Sequence, residues 1–475
     1  MRQLNPAIYE IYALSLPRGL GFGNRRPVTF WLSDDGLGSG VIRRDENDGT
    51  FGILAMRRRV DNVWSVIADK HDFTTAEEAL TDLQHFLCDG GREPIPPGVR
   101  PHLPLHDVAA RKPSGLFKIL SQRSHWAAAW ILNQTYLALP RPDPNWVSDC
   151  QTSNFHTRMW EAMLIACFRE QGILVTQPHE SPDFRLENRR GGVAWVEAVT
   201  ANPQTHYEHV GASPVAAPED IRELFFGAAS VRFAKTLGNK LSRRYDELPY
   251  VKGQPFAIAL ADFQAGSSMI WSRQSLVGYL YGTGATEVLA DGSRCSKPIT
   301  ATELIGPSRF PAGLFSDTRS AELSAVIFSN ACTLGKFNRI AISMGFDPQG
   351  LRYSRVGEFF DRTPGATRGI PFCMDVSSQE YRALWCYGHE PWSAELEVFH
   401  NPYARNPMSR ELLPEATHWF ENHEGLVCES YHAPAILRSR TLIQKESAPA
   451  FTLEALREYL EEGGSSPPHD QAVET

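Results

Sequence analysis

Residues 156–200 decide the fold that this chain predicts, and they read HTRMWEAMLIACFREQGILVTQPHESPDFRLENRRGGVAWVEAVT. The first part predicts a helix, because apolar residues recur at spacings of three and four from Trp160 to Cys167. Glu161 lies on the flank of this apolar stripe, about 110° from its centre at about 100° per residue. Gly172 is expected to end the helix.

The second part of the stretch predicts an antiparallel β-hairpin. A short strand at 173–175 is followed by two strand-like segments, 182–186 and 193–199, which a polar loop separates. Pairing Leu186 with Ala194 gives that loop an ordinary length.

The same register brings two carboxylates together, because it sets Asp183 directly opposite Glu197. Facing residues on one sheet face have Cβ atoms about 4.5–5.5 Å apart, so the two groups repel unless a cation lies between them. Glu197 also shares its strand face with Trp195 and Val199, where an unpaired carboxylate is costly. Hard divalent cations bind such oxygen ligands. A slip of one residue would instead put the two carboxylates on opposite faces.

A helix glutamate (Glu161), a Pro182-Asp183 pair and a strand glutamate (Glu197) resemble the motif of the PD-(D/E)XK nuclease superfamily. The resemblance covers roughly residues 155–263. It implies a restriction-endonuclease-like core of helix, three strands, helix and strand, a mixed sheet flanked by helices. It also implies Mg²⁺- or Mn²⁺-dependent hydrolysis of nucleic acid, either DNA or RNA. Asp183 and Glu197 would hold the metal, with the backbone carbonyl of Ala198 as a further ligand, and Glu161 would complete or orient the site.

The sequence departs from the family pattern at the catalytic lysine. That lysine is expected two residues after the strand acid, where this chain has Val199. Some family members carry it on the following helix, which would span 230–245 here. Lys240 flanks the apolar stripe of this helix and is the expected replacement, with Lys235 on the other flank as the reserve. If neither reaches the site, the fold would persist without catalysis.

Composition is that of ordinary globular domains, with 42% hydrophobic and 21% charged residues. A formal net charge of −8 argues against coating nucleic acid by bulk charge, but it allows one local basic face. No apolar run is long enough for a membrane span, and no secretory signal is evident, so no membrane partner is expected. The eight cysteines include no Cys-x-x-Cys pair, which favours free thiols in the cytoplasm over a zinc site.

Proline-rich and loop-like stretches predict an α/β chain in five segments. These are an N-terminal α/β module, a proline-rich linker with a packing helix, the nuclease-like core, a C-terminal α/β extension and a disordered tail, at residues 1–90, 91–150, 151–265, 266–460 and 461–475. In the first segment, Thr75 and Glu78 form a capping-box pattern before a helix at Ala76–Cys88. The cluster Arg57-Arg58-Arg59 is interpreted as a solvated strand edge, with a nucleic-acid contact as the alternative.

The remaining strands and the last helix are predicted from local sequence patterns. A continuous apolar run at 256–263 predicts a central strand covered on both faces. Strands are predicted at 323–329, 339–343 and 395–400, and a final helix at 453–460. The loop at 202–219 carries His206 and His209. These histidines either contact the substrate or belong to a solvent-exposed loop without a functional role.

Three functions remain open from the sequence. The first is a metal-dependent nuclease, the second a catalytically inactive nuclease fold that binds or scaffolds, and the third an unrelated α/β protein with coincidental acidic residues. No Gly-x-Ser-x-Gly elbow, Walker loop or His-Glu-x-x-His motif points to another chemistry. The oligomeric state is left open.

Overall fold

The structure, a computed structural model, describes residues 1–16, 23–88, 90–106, 112–203, 215–288, 294–363, 366, 369–423 and 425–454. It is a mixed α/β protein that divides into two compact units. Unit 1 comprises Met1–Gln177, Phe337–Gln349 and Ser377–Trp392, and unit 2 comprises Pro178–Lys336, Gly350–Val376 and Ser393–Thr475. This division does not follow the five predicted segments, because two later stretches of chain belong to unit 1. Among the described residues, no helix is both long and apolar enough to cross a membrane.

Unit 1 begins with a five-stranded sheet, which agrees with the α/β module predicted for the first segment. Its strands lie in chain order and pair antiparallel: β1 (Arg2–Gln3), β2 (Arg25–Leu32), β3 (Gly38–Asp45), β4 (Phe51–Arg58) and β5 (Trp64–Phe73). Helix α1 (Pro6–Ala13) precedes β2, and α2 (Ala76–Cys88) packs on β3 and β4. The predicted capping box of α2 is confirmed, because Thr75 Oγ1 accepts from the Glu78 N–H at 3.2 Å and Glu78 Oε2 accepts from the Thr75 N–H at 3.3 Å.

The interpretation of the arginine cluster as a solvated strand edge was wrong. Strand β4 is an inner strand, and both Arg57 and Arg59 are buried. Arg57 donates to the backbone carbonyls of Phe86 and Gly90, and Arg59 pairs with Asp61. These arginines therefore bind chain segments that follow β4 and are not available for a nucleic-acid contact.

The rest of unit 1 is mainly helical. It includes α3 (Gly115–Leu120), α4 (Trp126–Leu137), α5 (Trp146–Gln151), α6 (Phe155–Glu170), β6 (Leu174–Thr176), most of α10 (Leu334–Ser343) and α11 (Gln379–Ala383). Helix α6 is the one predicted from the apolar spacing, and Gly172, with φ of +74°, follows its end as expected. Nearly all of α6 is buried, from Met159 to Arg169.

The central sheet of unit 2 holds the predicted hairpin. Its strands in this unit follow the order β17-β16-β15-β12-β9-β8-β7. Their bounds are β7 (Phe184–Glu187), β8 (Val193–Ala201), β9 (Phe256–Asp262), β12 (Ala325–Ser329), β15 (Leu396–His400), β16 (Thr417–Asn422) and β17 (Gly425–Ser430). Strands β8, β9 and β12 are parallel, and every residue of β9 is buried, as the apolar run predicted.

Helices α7 (Ile221–Phe226), α8 (Ala228–Leu241) and α9 (Ser272–Tyr281) pack on one face of this sheet. Apolar side chains of α8 and α9 share a core with Trp195 of β8 and with alternate residues of β9. Outside the sheet lie the hairpin β10 (Thr283–Val288) and β11 (Arg294–Thr300), and the three-stranded sheet of β13 (Leu351–Phe359), β14 (Ile370–Asp375) and β18 (Ile436–Lys445).

One predicted strand was wrong, since residues 339–343 belong to helix α10 (Leu334–Ser343). Its buried apolar residues, Leu334, Phe337, Ile340 and Ala341, follow helical spacing. A short apolar run alone does not distinguish a strand from a buried helix turn. The predicted helix at 453–460 lies mostly outside the described residues, as does the predicted tail.

Candidate functional site

The hairpin of unit 2 has the predicted register. Leu186 pairs with Ala194, and Phe184 pairs with Val196 at the start of β7. Asp183 lies just before this pairing begins, where one further step of the register would set it opposite Glu197. The Asp183 carboxylate accepts a hydrogen bond from the Ala198 N–H at 2.7 Å. Asp183 therefore lies beside the strand backbone at the residue that follows Glu197.

The backbone of Ala198 faces Asp183 for a geometric reason. The Trp195 N–H donates toward β9, to the carbonyl of Pro255, so alternation turns the N–H and C=O of Ala198 toward the β7 side. The next partner in the β7 register would be Pro182, which has no N–H to donate to the Ala198 carbonyl. The Pro182-Asp183 pair thus ends the strand pairing beside this carbonyl.

Glu197 lies on the sheet face that α8 covers, with only 4% of its surface exposed. Its Oε1 accepts from Lys240 Nζ at 2.5 Å and from Tyr245 Oη at 2.8 Å. Its Oε2 is buried and has no hydrogen-bond partner among the described residues. A buried carboxylate oxygen without a partner is costly, so this atom calls for a partner that the described residues do not supply.

Lys240, and not Lys235, reaches Glu197, so the direction predicted from the helical angle is confirmed. Lys240 lies in the last turn of α8, and its side chain is largely buried in the ion pair. The Lys235 ammonium lies on the other flank, 5.9 Å from the ring centroid of Phe310. A helix therefore brings a lysine to the strand glutamate although Val199 occupies the position expected for the family lysine.

The sequence did not single out Tyr245 as a site residue, because it was assigned to the buried stripe of a longer helix. Helix α8 ends at Leu241, and the chain turns through Arg244, with φ of +52°, into a 3₁₀ turn at Tyr245–Glu247. Burial and the neighbouring Glu197 carboxylate raise the pKa of the Tyr245 hydroxyl above its usual value. Tyr245 therefore stays protonated at neutral pH and donates to Glu197. A buried tyrosine needs a partner for its hydroxyl, which is the signal that could have identified it.

Glu161 belongs to unit 1, whereas Asp183 and Glu197 belong to unit 2. Its Oε2 accepts from Trp146 Nε1 at 2.9 Å, and its Oε1 accepts from Arg158 at 2.8 Å. Burial raises the pKa of the Glu161 carboxyl, which the Arg158 guanidinium opposes. These contacts explain Glu161 as a structural group of unit 1, and its predicted part in completing the site stays a prediction.

An aromatic cluster lies next to the site and was not predicted. The exposed ring of His179 stacks on Tyr250, with centroids 3.6 Å apart and planes 18° apart. Tyr250 donates through Oη to the Ser181 carbonyl at 2.7 Å and contacts Trp195. The cluster joins the chain just before Asp183 to the strand that carries Glu197. No periodicity links these three residues, since they come from separate loops and a strand.

Comparison with protein-family models, curated proteins and solved structures found no match to this chain. The family resemblance therefore rests on the residues of the chain itself.

The donor atoms near Glu197 are all oxygens, which suits Mg²⁺ or Mn²⁺ better than a soft metal. They are Glu197 Oε2, the Asp183 carboxylate and the Ala198 carbonyl. Within the described part of the chain, no three side chains of His, Cys, Asp and Glu form a metal-binding group. The site would thus have two carboxylates and a backbone carbonyl, with water completing the coordination. His206 and His209 lie outside the described residues.

Proposed function

We propose that unit 2 carries a metal-dependent nuclease site of the PD-(D/E)XK type, which hydrolyses phosphodiester bonds in nucleic acid. The observation that carries this proposal is the buried Oε2 of Glu197, which has no hydrogen-bond partner in the part of the chain that the structure describes. This carboxylate lies beside Lys240, one residue from the backbone N–H whose hydrogen bond Asp183 accepts. A structural glutamate would be expected to have both oxygens satisfied by the protein.

Element order along the chain agrees with this proposal. Helix α6, strands β6, β7 and β8, helix α8 and strand β9 follow one another in the family order of helix, three strands, helix and strand, with α7 as an addition. Strands β7 and β8 are antiparallel, and β8 and β9 are parallel. The lysine on α8 matches those family members that carry it on the helix.

Each residue of the candidate site has a defined part in the proposed reaction. Asp183, Glu197 and the Ala198 carbonyl would hold Mg²⁺ or Mn²⁺, which supplies charge stabilisation and an acidified water when bound. Lys240 fixes the Glu197 carboxylate through Oε1 and puts a positive charge where negative charge develops on the phosphate. Tyr245 donates to the same oxygen and so leaves Oε2 as the ligand atom.

A second candidate, an inactive nuclease fold that binds nucleic acid, is favoured by one observation. Lys240 already neutralises Glu197 through a close ion pair, which a metal-free scaffold would also need. The two candidates share the fold and differ in whether a cation adds to the site.

The deciding experiment is a cleavage assay on single- and double-stranded DNA and RNA, with Mg²⁺, Mn²⁺, Ca²⁺ or a chelator. We expect cleavage with Mg²⁺ or Mn²⁺ only, because Ca²⁺ binds oxygen ligands with looser geometry. Thermal melts should show stabilisation by Mg²⁺, since a ligand that binds only the folded state raises its stability. A melting temperature that ignores both metals, together with no cleavage of any substrate, would defeat the enzymatic proposal.

The His179 stack predicts how the substrate is held. An exposed ring stacked on a tyrosine offers a face to an unpaired base, and such stacking contributes about 1–3 kcal/mol per base. Replacing His179→Ala should therefore weaken binding of a single-stranded oligonucleotide by about 5- to 150-fold, measured by fluorescence anisotropy without metal. Replacing His179→Phe should retain binding, and His85→Ala, at an exposed position of α2, is the matched control. Equal binding by His179→Ala and the wild type would exclude a base-stacking role.

A further inference from the structure

Arg169, near the end of α6 in unit 1, is a buried cation. Only 3% of its surface is exposed. Its Nη1 donates to the Leu14 carbonyl, while Nε has no partner, and no carboxylate pairs with this guanidinium among the described residues. Burial lowers the pKa of Arg169 to about 9. Buried arginines are usually paired with an anion, because an uncompensated charge in the interior is costly.

Arg169 lines a pocket of about 130 Å³ in the same unit. A cavity needs only about 10–15 Å³ of such volume to hold one water molecule, so this pocket is much larger than a single-water site. The apolar part of the wall is formed by Ile11, Leu14, Met344 and Trp392. Glu10, Glu170 and Tyr387 complete the wall. Tyr387 is 45% exposed and Glu10 is also partly exposed, so the pocket is reachable from solvent.

We propose that this pocket binds a small molecule with one carboxylate and an apolar body. A guanidinium matches a carboxylate in shape and charge, and the aliphatic and indole walls match a hydrocarbon chain. Glu10 and Glu170 disfavour a dianion such as phosphate through like-charge repulsion. The carboxylate could belong to a simple carboxylic acid or to an apolar α-amino acid, whose ammonium group the glutamates would attract. This site belongs to unit 1 and does not depend on the proposed nuclease activity.

The full chain is titrated with 4-methylpentanoate, with leucine and with inorganic phosphate, while thermal melts and the intrinsic tryptophan fluorescence of the protein are recorded. Saturable stabilisation by 4-methylpentanoate or leucine, but not by phosphate, is the expected result. If leucine binds more tightly than 4-methylpentanoate, and Glu10→Gln removes this difference, the natural ligand is an apolar amino acid. If 4-methylpentanoate binds more tightly than leucine, the natural ligand is a simple carboxylic acid. Equal responses to phosphate, or no saturable response to any ligand, would overturn the proposal.

Variants at Arg169 test the residue that carries the site. Arg169→Gln should weaken carboxylate binding by about 10- to 100-fold, because a charged hydrogen bond is lost. Arg169→Met, free of ligand, should melt no lower than the wild type, since an unpaired buried charge is removed. A structural arginine would instead give a destabilised Arg169→Met and unchanged binding in Arg169→Gln.

Two variants at Tyr387, an exposed residue that lines the pocket, keep the test valid if the Arg169 variants fail to fold. Tyr387→Asp adds a negative charge at an exposed position and should weaken carboxylate binding, whereas Tyr387→Asn should not. Identical binding by these two variants would contradict a carboxylate site near this residue.

Discussion

Asp183→Asn should abolish metal-dependent cleavage while leaving the fold of unit 2 intact. An asparagine keeps an oxygen that can accept the Ala198 N–H, which Asp183 accepts at 2.7 Å, so the strand end should remain in place. It removes the negative charge that binds a hard cation. We expect unchanged melting without metal, loss of the shift with Mg²⁺ and no measurable cleavage. The measurements are melts and a cleavage assay, with Glu187→Gln, at the far end of β7, as the matched control.

Glu197→Gln should also abolish cleavage, but with a cost in stability that Asp183→Asn does not have. Two facing carboxylates, considered alone, predict that removing one relieves repulsion and raises stability in metal-free buffer. The contacts reverse this expectation, because the Glu197 carboxylate pairs with Lys240 and accepts from Tyr245. Losing the charged partner of a mostly buried lysine should cost about 1–3 kcal/mol of unfolding free energy. A variant at either carboxylate that cleaves at the wild-type rate would contradict the assigned site.

Local patterns sufficed for the hairpin and for the lysine. Alternation and the polar turn fixed the pairing of Leu186 with Ala194, because a slip would have exposed a whole apolar face. The 3.6-residue period separated Lys240 from Lys235, since the two flanks of an amphipathic helix face different neighbours. These features depend on residues close together in the sequence.

Features that depend on distant neighbours were not predicted. Glu161 lies on a helix that is buried nearly all round, so its angle from the apolar stripe did not give its exposure. Its carboxylate accepts hydrogen bonds from Trp146 and Arg158, and the helical pattern alone did not indicate these partners. Arg57 is likewise buried, because α2 and the residues just after it supply carbonyl acceptors from Phe86 and Gly90. Whether a buried charged side chain is structural or functional thus depends on its partner in the fold, which its position in the sequence does not give.

Lys240→Met should separate catalysis from metal binding. Removing the ammonium takes away the charge proposed to stabilise the reacting phosphate, so the cleavage rate should fall by about 10²- to 10³-fold. The same change removes a cation that competes for the Glu197 carboxylate at 2.5 Å. Mg²⁺ should therefore stabilise Lys240→Met at a lower concentration than it stabilises the wild type.

Lys235→Met is the control for this prediction, because Lys235 lies on the other flank of α8 against Phe310. It should leave both the cleavage rate and the Mg²⁺ response unchanged. Lys240→Arg keeps the charge but changes its geometry, and its rate should lie between those of Lys240→Met and the wild type. If Lys240→Met cleaves normally, Lys240 serves only to neutralise Glu197. If Lys240→Met binds Mg²⁺ no more tightly than the wild type does, the Lys240 ammonium and the metal do not share the Glu197 carboxylate. Glu197 Oε2 is then not the ligand atom.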